Sequence, residues 1–170
     1  MEQTALKICS AFFEKVGFTS QESSTFLTEV LRGIFTSLHF YRNKTRSNVI
    51  PSAIMKCVHV FFSTLMVCHG SATLVQACDS IQRGILFMVL KSESAAIKHV
   101  TSPSRDKKYA IVAYSRLMSE FADSQDVDNE SLKQLASGLI DLAATLKVGF
   151  TMASAVEKSG EELIMDGAID

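Results

Sequence analysis

An all-α fold is predicted by three features of the sequence. Apolar residues recur at steps of three and four along most of its length, and only two prolines interrupt 170 residues. No segment alternates apolar and polar side chains between hairpin turns, so strands are not needed to explain the pattern. With 47% hydrophobic and 21% charged residues, the chain lies in the globular range and can bury a core.

The elements follow in order. Leu6, Ile8, Cys9, Phe12, Phe13 and Val16 give a first, short helix, with Gly17 as its stop. Phe26, Leu27, Val30, Leu31, Ile34, Phe35 and Leu38 share one face of a longer second helix, and Ser23 and Ser24 stand ahead of them as candidate caps. The polar stretch from Tyr41 to Asn48 reads as a connection. Pro51 fits the first position of a third helix, apolar from Ile54 to Val67 and ended by Gly70. Ile54 to Cys68 contains Lys56, His59, Ser63 and Thr64, so it reads as a buried core helix and not as a membrane span.

A short helix follows from Ala72 to Cys78. Asp79, with Gln82 three residues on, resembles a capping box opening the segment Ile81 to Leu90. A loop is expected around Lys91 to Asp106, with Pro103 inside it. Tyr109, Val112, Ala113, Leu117 and Phe121 mark another helix, and Asp128 precedes a last one carried by Leu132, Leu135, Leu139, Leu142 and Leu146. Helices arriving in pairs, with short turns and no strict repeat, point to antiparallel pairs stacked as a HEAT- or armadillo-like α-solenoid over residues 1–150. A plain helical bundle would carry the same periodicity. Residues 151–170 gather Glu161, Glu162, Asp166 and Asp170 and read as an acidic, flexible tail.

The chemistry offers little to an enzyme. A net charge of −1 gives no global field to draw the chain onto nucleic acid or an anionic membrane. Cys9, Cys57, Cys68 and Cys78 form no CxxC pair and suit reduced, buried thiols of the cytosol or nucleus, and Met1 to Lys15 does not read as a signal peptide. The nearest approach to a metal site is His59, Cys68, His69 and Cys78, yet His59 and Cys68 lie about 180° apart on a helix. No GxSxG, GxGxxG or GxxxxGK[ST] occurs, so neither a nucleophile elbow nor a phosphate cradle is indicated. Glu161 and Glu162, as neighbours, point about 100° apart and read as solvated. No catalytic residue, metal, cofactor or small-molecule substrate is expected.

Two basic clusters remain as partner-binding candidates. Arg42, Lys44 and Arg46 fall in the expected connection after the second helix, and Arg105, Lys107 and Lys108 open the helix of Tyr109. Opposite them in sign, Glu120, Asp123, Asp126, Asp128 and Glu130 form an acidic connection.

Gly33-Ile34-Phe35, Tyr41-Arg42-Asn43-Lys44-Thr45, His69-Gly70 and Asp79-Ser80-Ile81-Gln82 stand in an order that resembles the late repeats of the importin-alpha re-exporter (exportin-2 or CAS) family. Gly84-Ile85-Leu86-Phe87-Met88-Val89-Leu90, then Ile97, Val100, Asp106-Lys107-Lys108 and Ala113-Tyr114-Ser115-Arg116-Leu117-Met118, is similar to that family in residue type and spacing. The resemblance covers roughly residues 20–145. It implies a curved solenoid that, in a full receptor, binds Ran-GTP together with importin alpha and shuttles between nucleus and cytoplasm. Family members are several times longer, and the amino-terminal repeats of their principal Ran contact are absent here. A fragment or truncated paralogue is implied, with apolar surface exposed near both ends and some self-association.

Overall fold

The computed structural model describes residues 2–15, 21–44, 50–93, 97, 104–121, 129–130 and 132–146. Six helices run α1 (Glu2–Lys15), α2 (Gln21–Lys44), α3 (Ser52–His69), α4 (Ser71–Asp79), α5 (Ile85–Glu93) and α6 (Ser104–Phe121). A further helix, α7, spans 132–146. There are no strands among the described residues. The expected caps Asp128 and Gly17, and the acidic tail 151–170, lie outside the described residues.

Each helix turns its periodic face inward. On α2 the buried residues are Leu27, Leu31, Ile34, Phe35 and Leu38, and on α6 Ala110, Ala113, Tyr114 and Leu117, both at steps of one, three and four. Helix α3 differs, because Phe61 to Met66 are six consecutive buried residues and so face every direction around the axis.

The contacts arrange these helices in two layers. Phe13 meets Phe61, and its carbonyl accepts a bond from His69 near the end of α3, while Leu6 of α1 shares a cleft with Ile54 near the start of α3. Helices α1 and α3 therefore run in the same sense. Helix α6 lies on the other flank of α3, with Asp106 near Lys56, Tyr114 against His59 and Glu120 against Ser71. Helix α2 returns antiparallel to α1, since Phe26 packs on Phe12 and Phe13 at its start and Leu38 reaches the other end of the cleft. Helix α7 returns antiparallel to α6 in the same way, with Leu135 near Met118 and Thr145 bonded to Lys107. The layers α1–α3–α6 and α2–α4/α5–α7 are the two layers of stacked antiparallel pairs, an all-α, solenoid-like arrangement.

Glycines set two of the turns. Gly70 has φ 88° and donates its N–H to the Met66 carbonyl at 3.0 Å, ending α3 as its residue type predicts. Gly84, at φ 71°, starts α5.

Four expectations about boundaries are corrected. Ser23 and Ser24 lie inside α2 and are not its caps. Pro51 is the N-cap of α3 rather than its first helical residue, and its carbonyl accepts from Ile54 and Met55. Asp79 does not open a capping box, because it closes α4 and its Oδ1 accepts the Gly84 N–H at 2.8 Å. At the two ends of the expected loop around Lys91 to Asp106, Lys91 to Glu93 belong to α5 and Ser104 to Asp106 to α6, while Pro103 lies outside the described residues.

Helix α3 also exceeds the sequence expectation, being long and apolar enough to cross a membrane by length and composition alone, with mean hydropathy 1.4. It is nonetheless the core helix, flanked on both sides within its layer. The exposed large apolar side chains among the described residues are Ile8, Phe12, Phe26, Phe40, Met88, Val112 and Ile140, spread over several helices.

Candidate protein-binding surface

Among the described residues, the basic side chains singled out in the sequence have different surroundings. Arg42 and Lys44 belong to the last turn of α2 and not to a loop. Cations are favoured there by the carbonyl end of the helix, which is why α2 continues past Tyr41. Two residues apart, they point about 200° from one another. Lys44 turns back over the Phe40 ring, 5.3 Å from its centroid, whereas Arg42 lines a groove against α5. Arg46 lies outside the described residues.

The second cluster is dispersed by tertiary contacts. The Arg105 guanidinium donates to both Glu14 carboxylate oxygens, at 3.1 and 3.3 Å, tying the start of α6 to the end of α1. It also stacks on Tyr109 at 5.4 Å. Lys107 donates to Thr145 Oγ1 at 3.2 Å, tying α6 to α7, and Lys108 is exposed.

Among the described residues, several grooves lie between the helices, and three of them bear on the basic clusters and the first helix. The first, roughly 330 Å³ between α1, α3 and α6, is lined by Lys7, Glu14, Lys56, Cys57, Arg105 and Asp106. Burial raises the Asp106 carboxyl above its ordinary range; Arg105, Lys56 and Lys7 pull it down and Glu14 pushes it further up. Burial also raises the Cys57 thiol against the pull of Lys7 and Lys56, so this sulfur is held as a thiol rather than activated as a nucleophile. The charges of this groove largely answer one another.

The second groove, roughly 230 Å³, runs between the end of α2 and α5. Leu38, Ile50, Ile85 and Val89 form its floor, and His39, Arg42 and Met88 stand along its rim. The third, roughly 280 Å³, is almost wholly apolar and lies between Leu6 and Cys9 of α1, Val30 and Ile34 of α2, and Ile54 of α3. None of the three was legible as a groove in the sequence. The available signal was apolar side chains off the main helical face, such as Met88, which is 50% exposed.

The residues weighed as metal ligands diverge. His59 is buried with Nδ1 2.8 Å from the Tyr114 hydroxyl, and His69 donates to the Phe13 carbonyl. Cys68 is exposed on one side, and Cys78 is buried on another, where burial pushes its thiol up to about 12. Among the described residues, no three His, Cys, Asp or Glu side chains converge.

Such a scaffold, with grooves between stacked helices, is suited to holding protein segments. Residues 1–160 match the family model described as CAS/CSE protein, C-terminus. The chain belongs to the CAS/CSE family. The match extends beyond residues 20–145 to include the first helix and the segment after Lys147, both of which the sequence resemblance left weak. CAS/CSE proteins are nucleocytoplasmic transport receptors of the exportin type and not an enzyme family, and this chain corresponds to their carboxy-terminal region. No individual curated protein and no solved structure matches the chain at the significance required.

Proposed function

We propose that this CAS/CSE chain is the carboxy-terminal partner-binding module of a receptor that takes part in Ran-dependent export of importin alpha and so supports protein import into the nucleus. The family match over residues 1–160 carries the reading. On this view residues 1–150 hold the solenoid and 151–170 an acidic tail, the partners are Ran-GTP and importin alpha, and the receptor shuttles between nucleus and cytoplasm with passage at the nuclear envelope. The reading requires no nucleic acid, no membrane insertion and no small-molecule substrate. Arg42, Lys44 and Arg46 are its contact candidates of first choice, because Arg105 and Lys107 already bond within the chain.

That same internal use of Arg105 and Lys107 favours a second reading, a helical scaffold that keeps the fold without binding Ran or importin alpha. Capture of importin alpha by the purified chain, with and without GTP-locked Ran at physiological salt, separates the two. Ran-dependent capture is expected. Absence of capture by a chain whose helicity is intact would sink the receptor reading and leave the scaffold.

A further inference from the structure

We infer that the groove between α2 and α5 receives an apolar peptide segment of a protein partner, one that carries a carboxylate side chain for Arg42. This rests on the reading of the chain as a protein-binding module, but not on Ran or importin alpha being the partner.

The lining of this groove holds one arginine, Arg42, and no carboxylate, whereas the groove between α1, α3 and α6 holds Glu14 and Asp106. Arg42 is exposed and forms no ion pair among the described residues. In the cleft beside α6, by contrast, Arg105 already has Glu14. A guanidinium at a groove rim offers a planar fork of donors that matches a carboxylate bidentately.

His39 adds a second donor. The Asn43 amide donates to His39 Nε2 at 2.8 Å, so the neutral ring carries its proton on Nδ1. Arg42 and His39 both line the groove, one turn of α2 apart. Together they present N–H donors, one of them a guanidinium, above a floor of Leu38, Ile50, Ile85 and Val89.

The dimensions select the class of ligand. At roughly 230 Å³ the groove falls below the range of about 300–1,000 Å³ typical of small-molecule pockets, and it is open along its length. It suits one or two aliphatic side chains from a longer segment that continues over the surface. Its rim also has the composition of an interface, with Arg42 and a half-exposed Met88 whose unbranched side chain adapts to different partners.

The test uses the full chain and a fluorescein-labelled amphipathic peptide with leucines on one face and glutamates beside them. A second peptide has glutamine at every glutamate. Fluorescence polarisation is expected to show saturable binding of the first peptide, weakened about tenfold by Arg42→Gln. Arg116→Gln, at an exposed site on α6, is expected to leave binding unchanged. The glutamine peptide should bind the unaltered chain about tenfold less tightly and be indifferent to Arg42→Gln, since the two losses then report one interaction.

Additive losses, an equal loss from Arg116→Gln, or absence of saturable binding would overturn the proposal. So would tenfold tighter peptide binding after removal of residues 157–170, which would make the chain's own acidic end the occupant. Self-association abolished by Arg42→Gln would assign the groove to a second copy and overturn it equally. Importin alpha capture is read separately, so a failed peptide titration leaves the receptor reading standing, and a failed capture leaves the groove's chemistry standing.

Discussion

Tyr114→Phe removes one buried hydroxyl in the centre of the molecule, which His59 and Ser63 share. The Tyr114 side chain is fully buried, its hydroxyl lies 2.8 Å from His59 Nδ1, and the pair joins α6 to α3. Burial raises the phenol's pKa, so the hydroxyl is neutral at any ordinary pH. The substitution leaves the ring in place, edge-on to the imidazole at 5.7 Å between centroids, and removes one oxygen. A neutral hydrogen bond contributes about 1 kcal/mol net, and stripping a buried group of a partner costs about 1–3 kcal/mol. A loss of about 2 kcal/mol is therefore expected, against a total stability of roughly 5–15 kcal/mol. With a urea m-value of about 2 kcal/mol/M, the unfolding midpoint should fall by about 1 M while the m-value stays unchanged. His59→Leu should cost a similar amount, and the double variant less than the sum, because the two losses share one hydrogen bond. An unchanged midpoint for Tyr114→Phe, or strictly additive losses in the double variant, would refute the account of the α3–α6 junction.

Four further outcomes are expected. Glu14→Gln and Arg105→Gln, at a pair whose arginine is 58% exposed, should each lower stability by no more than about 1 kcal/mol, with a coupling energy that vanishes in molar salt. Cys78, raised from 9.0 to about 12, binds its proton more tightly folded than unfolded, so its contribution is complete below pH 9 and is lost as pH climbs toward 12. Urea midpoints taken across that alkaline window should fall less steeply for Cys78→Ala than for the unaltered chain. Gly84→Ala forces a side chain into φ 71° where its Cβ would meet nothing within 4 Å, so the cost is backbone strain alone, about 1 kcal/mol by thermal melting. Sedimentation equilibrium should show concentration-dependent self-association, reduced by Ile8→Glu on the exposed face of α1, and a strictly monomeric species would argue against apolar end faces as association sites.

The sequence disclosed what depends on neighbours three or four residues away. The face of Leu27, Leu31, Ile34, Phe35 and Leu38 was legible because helical period and burial coincide on α2. Gly70 was legible because a positive φ after an apolar run favours glycine. Polar residues near helix ends were ambiguous. Ser23 and Ser24 read as caps, yet a helix can pass through such residues, and Thr28 donates to the Ser24 carbonyl at 3.0 Å inside α2. Asp79 has the chemistry of a cap but serves the N–H of Gly84, five residues on. The site was less legible still, because the fate of a cation depends on distant chain. Arg105 is answered by Glu14, 91 residues away, and His59 by Tyr114, 55 residues away, whereas Arg42 is left facing a groove.

The hydropathy of α3 records its place in the layer. A helix at the edge of a layer needs one apolar stripe, but a helix with neighbours on both sides and a second layer beneath needs apolar residues all round. Phe61 to Met66 supply that ring: Phe61 meets α1 through Phe13, and Phe62 meets α2 through Phe35. The polar residues that survive in this stretch do so by satisfying themselves, with Ser63 and Thr64 bonding back to the His59 and Val60 carbonyls at 2.6 and 2.9 Å. A membrane helix and the Phe61 to Met66 stretch of this one thus come to a similar composition from the same requirement, burial on every face. What distinguishes them here is His59, whose imidazole finds its answer in a tyrosine of the adjoining helix.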